Sequence, residues 1–205
     1  NDNAQNRSYP KLEDRIAGTY AKWSTATNKN SLYDSYIKAF RWASDRLDPE
    51  NGGIIAFVSN SGWLDGSAMD GFRKNLEEEF SAVYVFDLRG NCRTSGELRQ
   101  REAGNIFGLG SRTPIAVTIL VKKPGHAGKA AIRYCDIGDY LSRDEKLAKI
   151  SQLGSIAAPE MNWQDIMPND KHDWLNQRDG LFETLVPIGD KDNKLEKTVF
   201  YPWHS

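Results

Sequence analysis

Five arginines, Arg89, Arg93, Arg99, Arg101 and Arg112, fall in one polar, glycine-containing stretch that ends at Pro114, and a single aromatic residue, Phe107, stands among them. A guanidinium is a planar fork of donors that fits phosphate oxygens, so arginines gathered on one connection suit contacts that position a backbone without reading a sequence. Glu97 and Glu102 dilute that charge, and a solvated surface loop is the other reading of the same residues. Phe107, in Asn105-Ile106-Phe107-Gly108, is either a π-face offered to a ligand or, with Ile106, an apolar pin that holds a long loop to the core. Asn60, Ser61 and Trp63 follow an apolar run, where a polar side chain either touches a ligand or builds a turn. Asp87 closes the next apolar run, and one acid without a partner is a poor basis for acid–base chemistry. His126, His172 and His204 are scattered without ligand spacing, which argues against a metal site.

The elements that must hold these residues alternate. Leu12, Ile16, Ala17, Tyr20 and Trp23 predict a helix over 11–23. Ser31 is suited to cap a second helix, with Leu32, Tyr36, Phe40, Ala43 and Leu47 on one face until Asp48-Pro49-Glu50-Asn51-Gly52-Gly53 stops it. On that spacing Tyr36 is an ordinary buried helix-face residue. Residues 54–58 form a continuous apolar run, as expected of a strand covered on both faces, and 59–66 make a polar turn at its C-terminal edge. Met69, Phe72, Leu76 and Phe80 predict a helix over 68–80, followed by a strand over 82–88. Residues 89–114 read as a long connection without a packed element. Strands are expected over 115–121, ended by Lys122-Lys123-Pro124-Gly125, and over 130–135. Joined by a helix, the first two strands should run parallel; the third, with no helix before it, should return antiparallel, beside its predecessor or between the two. From 151 onward periodicity fades, and Trp163, Trp174, Phe182, Phe200, Tyr201 and Trp203 sit singly in a polar tail expected to pack on neighbouring structure.

At 205 residues, 39% hydrophobic and 27% charged, the chain can bury one substantial core, or a core and a small extension. No apolar run approaches the roughly 20 residues of a membrane helix, and the polar start lacks a signal core, so a cytoplasmic location is the default. Cys92 and Cys135 are too few for a disulfide framework and are expected as reduced thiols. A net charge of −1 gives no overall attraction to nucleic acid, so any such contact needs a local patch. A nicotinamide-dependent oxidoreductase is disfavoured because no G-x-G-x-x-G with a following acid occurs.

Taken in order, Asn30-Ser31-Leu32-Tyr33-Asp34-Ser35-Tyr36, Asn51-Gly52-Gly53, Phe57-Val58-Ser59-Asn60-Ser61-Gly62-Trp63-Leu64, Phe72-Arg73-Lys74-Asn75-Leu76 and Pro114-Ile115-Ala116-Val117-Thr118-Ile119-Leu120-Val121 resemble the back half of DNA adenine-N6 methyltransferases of the gamma arrangement. More narrowly, the chain resembles the methyltransferase region of type ISP restriction–modification enzymes, single polypeptides that join nuclease, helicase, methyltransferase and target-recognition parts. The resemblance covers about residues 1–150. It implies an α/β fold, the C-terminal half of a Rossmann-like S-adenosylmethionine-dependent methyltransferase sheet in which parallel strands are finished by an antiparallel one. It also implies that 1–150 is the C-terminal part of the catalytic domain and that 151–205 is a connector toward a target-recognition domain, approached at 198–205.

The same resemblance implies that Phe107 stacks on an adenine flipped from duplex DNA, where a π-face replaces the stacking that the base loses. It sets Tyr36 against the adenine of S-adenosylmethionine and turns the arginines toward DNA, while Asn60, by its place at the C-terminal edge of a strand, is a second candidate for contact with that cofactor. The chain departs from the family in lacking both a glycine-containing cofactor loop and an Asn/Asp-Pro-Pro-Tyr/Phe motif. A fragment inactive in isolation is therefore expected. The alternative is a non-catalytic DNA-binding or domain-docking module of a helicase-type protein.

Overall fold

The computed structural model describes residues 8–178 and 181–184. Helix α1 (Pro10–Ile16) opens on a proline, whose fixed φ and missing N–H suit a first turn, and runs into a π-helical turn, Ala17–Ala21, that buries Tyr20 and Ala21 beside Ile16. The next helix does not start at Ser31: Asn30–Tyr33 is a 3-10 turn, Asp34 is extended at ψ 148°, and only then does α2 (Ser35–Ser44) begin. The break still buries Leu32, while Ile37 and Phe40 of α2 face the core.

After α2 come β1 (Gly53–Asn60), α3 (Asp70–Glu79), β2 (Ala82–Asp87), α4 (Gly96–Glu102), β3 (Ile115–Lys122), β4 (Ala131–Asp136), α5 (Arg143–Leu153), β5 (Gln164–Ile166) and α6 (Leu181–Thr184). Gly71 lets α3 come down onto the π-helical turn, since a Cβ there would meet the Tyr20 carbonyl oxygen at 2.0 Å and the Ser24 nitrogen at 2.6 Å.

The five strands lie in the order β1-β3-β2-β4-β5. β3 is antiparallel to both β1 and β2, so those two run parallel with β3 between them; Leu120 pairs with Ile55 on one side and Val83 on the other. Of the two placements open to the third strand, insertion is the one adopted. The sheet does not finish there: β4, at the place of the strand expected over 130–135, continues it parallel to β2, and β5 pairs antiparallel with β4.

Helices α1 to α3 cover one face through Phe40, Phe72, Ile55, Val83 and Leu120. Around Trp63, the rings of Phe40, Phe72 and Trp174 meet edge to face with centroids 5.3 to 6.2 Å apart, contacts worth about 0.5–1.5 kcal/mol each beyond burial. The opposite face is covered only over β2 to β4, by Ile150 and Leu153 of α5 with Met161 and Trp163. β1 is therefore not covered on both faces. Ile55 is buried, but Ile54 and Val58 are 68% and 54% exposed, because the cluster on that face extends to β3 and includes no residue of β1.

The core runs past residue 150. Trp163 meets Tyr84 edge to face with ring centroids 5.4 Å apart, and Trp174 lies in the main core against Trp63. A clamp on α3 holds this segment. Arg73, fully buried, donates to the carbonyls of Trp63, Gly66 and His172 and pairs with Asp173, while Glu77, also buried, accepts from the Trp174 indole. Packing thus continues across residue 150. Of the other tail aromatics, Phe182 falls in α6, and Phe200, Tyr201, Trp203 and the whole stretch 198–205 lie outside the described residues.

Candidate functional site

The C-terminal ends of β1 and β2 open on a cleft of about 250 Å³ lined by Asn60, Asp65, Asp87, Arg89, Arg93 and Glu102, among others. The parallel register sets Asp87 beside Asp136 of β4, which supplies the second acid that Asp87 lacks along the chain. The Tyr134 hydroxyl lies 3.1 Å from an Asp87 oxygen and 3.2 Å from an Asp136 oxygen, and the Arg89 N–H donates to the other Asp87 oxygen. Burial, reinforced by the nearby Asp136 charge, pushes Asp87 up to about 6. The sequence does carry a trace of this pairing, since both strands end on aspartate after runs of equal length.

Residues 89–114 are not a structureless connection. They contain α4 and a 3-10 turn, Gly108–Gly110, and α5 clamps them from outside. Lys146, fully buried, donates to the carbonyls of Glu102 and Gly104, and Arg143 donates to that of Ile106. Burial lowers the Lys146 pKa. No apolar periodicity announces this anchoring, because its partners are backbone carbonyls.

The loop separates Ile106 from Phe107. Ile106 packs into the smaller core cluster and is the pin; Phe107 is 61% exposed, with its N–H bound to the Asn105 side chain.

The arginines also divide. Arg89, at φ 55°, forks onto Asp136 and reaches Asp139. Arg99 donates to the Ala103 carbonyl, and Arg101 lies beside Glu97. Arg93 and Arg112 are exposed with no carboxylate partner among the described residues, and the Cys92 N–H bound to the Arg112 carbonyl brings their segments together. Among the described residues, two of the five, Arg93 and Arg112, are exposed with no internal partner for the guanidinium.

The residues expected at a cofactor do not converge. Asn60 lines the cleft with its oxygen accepting from the Gly62 N–H at 2.8 Å, a turn contact, while Tyr36 packs against the main core and lines no cavity that Asn60 lines. Trp63, expected at the strand edge, is fully buried. Tyr36 and Asn60 do not by themselves make a site for S-adenosylmethionine. Sequence reading also missed an apolar groove of about 560 Å³ at the open edge of β1, lined by Tyr9, Leu12, Ala39, Trp42 and Phe57 together with Ser35 and Lys38.

No protein-family model matches the chain, and no curated protein matches it. Solved structures do. The ATP-dependent Type ISP restriction-modification enzyme LlaBIII bound to DNA aligns at a TM-score of 0.86 and 39% identity over 96% of this chain and 13% of its own. A nuclease-deletion mutant of the Type ISP restriction-modification enzyme LlaGI, in complex with a DNA substrate mimic, aligns at 0.82 and 44% identity over 91% of this chain and 17% of its own. The DrdV–DNA complex aligns at 0.83 and 34% identity over 98% of this chain and 20% of its own. Among the described residues no helix is long and apolar enough to cross a membrane. In sequence and fold, the chain is similar to one segment of the Type ISP restriction-modification enzymes LlaBIII and LlaGI and of DrdV, and it spans no more than a fifth of each of these three chains.

Proposed function

We propose that the chain is the back half of the methyltransferase domain of a type ISP restriction–modification polypeptide that modifies adenine N6 in duplex DNA, with S-adenosylmethionine as donor. In this reading the chain supplies the wall that meets the base, and it does not turn over alone. The observation that carries the reading is the Phe107 loop: a ring 61% exposed, on an anchored connection entering the one strand that is antiparallel to both its neighbours. Arg93 and Arg112 supply phosphate-seeking forks on the same connection. The bare face of β1 and the groove beside it, with β1 at one edge of the sheet, fit a sheet that continues into another part of the polypeptide.

The test is methyl transfer from labelled S-adenosylmethionine to duplex DNA. The complete polypeptide should label adenine N6, and the isolated chain should not; label transferred by the isolated chain would sink the fragment reading. The second reading, a non-catalytic DNA-binding or domain-docking module, draws on the same exposed β1 face. The genomic reading frame separates the two, since an Asn-Pro-Pro-Tyr shortly upstream supports the methyltransferase and its absence supports the module.

A further inference from the structure

One side chain closes the Phe107 loop from within. Asn105 is 6% exposed; its Nδ2 donates to the Gly90 carbonyl at 3.1 Å and the Thr113 carbonyl at 2.8 Å, and its Oδ1 accepts from the Phe107 N–H at 3.0 Å. Gly90 lies just past β2 and Thr113 just before β3, so a single carboxamide ties the outgoing stem, the incoming stem and the residue that displays the ring. The seat is fitted from the other side as well: a Cβ on Gly90, at φ 91°, would meet the Asn105 Cα and Nδ2 at 3.0 Å.

Joining the strands does not need this amide. Backbone bonds from Leu88 to Ile115, from Ile115 to Arg89 and from Cys92 to Arg112 already close the stems. What Asn105 adds is a fixed link from those stems to residue 107, at the cost of desolvating an amide whose three bonds all end on backbone.

We propose that Asn105 is a positioning residue that sets the orientation in which Phe107 is displayed. The functional consequence rests on the base-stacking reading above; the positioning itself does not. The closing experiment therefore has two arms.

In the 205-residue chain, 4-fluorophenylalanine placed at position 107 should give one sharp ¹⁹F resonance. Asn105→Ala should broaden or split it, and Asn105→Asp, which keeps the acceptor for the Phe107 N–H but loses both carbonyl bonds, should do so in part. An unshifted, sharp line in Asn105→Ala overturns the proposal, whatever activity shows. In the complete polypeptide, Asn105→Ala should lower kcat at least tenfold with little change in KM, and should lower the fluorescence of a 2-aminopurine at the target adenine as Phe107→Ala does.

The double variant should be no worse than Phe107→Ala alone, because residues acting as one unit are not additive. Fully additive losses would assign Asn105 a merely structural role and overturn the proposal. A disturbed ¹⁹F line together with an unimpaired Phe107→Ala enzyme would leave the positioning standing and refute the base-stacking reading.

Discussion

Asp87 carries a charge that its surroundings oppose. Its native pKa, about 6, lies above the value near 4 of an unfolded aspartate, so between these pH values the folded chain holds a proton that the unfolded chain has lost. The contribution to stability is complete below the unfolded value and is lost as pH rises through the folded one. Asp87→Asn removes the charge while keeping an acceptor oxygen for the Arg89 N–H and presenting an N–H that the Tyr134 hydroxyl can accept as it donates to Asp136. It should raise the unfolding free energy at pH 7.5 by about 1–2 kcal/mol, after allowing for the solvent that reaches the site, and should flatten the decline between pH 4 and 6. Urea titrations at several pH values check this, and a variant with an unchanged slope would show that another group is responsible. Phe107 makes a different prediction because it is exposed: Phe107→Ala should leave the melting temperature within a degree or two. In the complete polypeptide it should cost roughly tenfold to a hundredfold in methylation, from stacking worth about 1–3 kcal/mol per base. Phe107→Trp, which keeps a π-face, should lose less; full activity in the alanine variant would assign stacking to another residue.

Elements here are fixed by contacts that pattern alone shows unevenly. The apolar periodicity of 68–80 leads directly to α3, but the close approach of that helix to the π-helical turn depends on Gly71, whose role appears only when the Tyr20 carbonyl is beside it. Gly71→Ala should destabilise the chain by about 2–4 kcal/mol, since backbone on both sides leaves a new methyl nowhere to go. Chemical denaturation would reveal this, and a neutral result would mean that α3 slides freely. The loop 89–114 is the opposite case. It reads as unpacked because it lacks periodicity, yet Lys146 reaches it from a helix some forty residues later. Lys146→Met keeps the volume and leaves the Glu102 and Gly104 carbonyls without their donor, for a loss of about 1–3 kcal/mol. Amide exchange over 102–107 should quicken more than exchange in the strands, and uniform exchange would show that the clamp is dispensable.

At the level of the whole molecule, the segment after β5 is part of the core. Removing it would strand Arg73 in the interior without Asp173 and uncover one side of Trp63, and an unpaired buried charge alone costs about 3–5 kcal/mol. That is a large share of the 5–15 kcal/mol that stabilises a typical domain. A chain ending at Ile166 should therefore lose its near-ultraviolet circular dichroism and its cooperative unfolding transition. If it melts like the intact chain, the segment is a separate connector, as the division at residue 150 had it.

The sequence by itself determined the elements whose side chains repeat with the period of their own backbone: the helices around Phe40 and Phe72, the strands around Ile55, Val83 and Leu120, and the antiparallel sense of the third strand. It also held the resemblance to type ISP enzymes, because ordered motifs survive in one dimension. Only the tertiary structure decided that β3 is inserted rather than appended, that Asp87 meets Asp136, that Arg89 is turned inward while Arg93 and Arg112 are not, and that Phe107 is displayed while Ile106 is buried. Each of these depends on a partner distant along the chain. Such contacts are set by strand register and by hydrogen bonds to backbone atoms, and backbone atoms, being the same at every residue, leave no mark in the sequence.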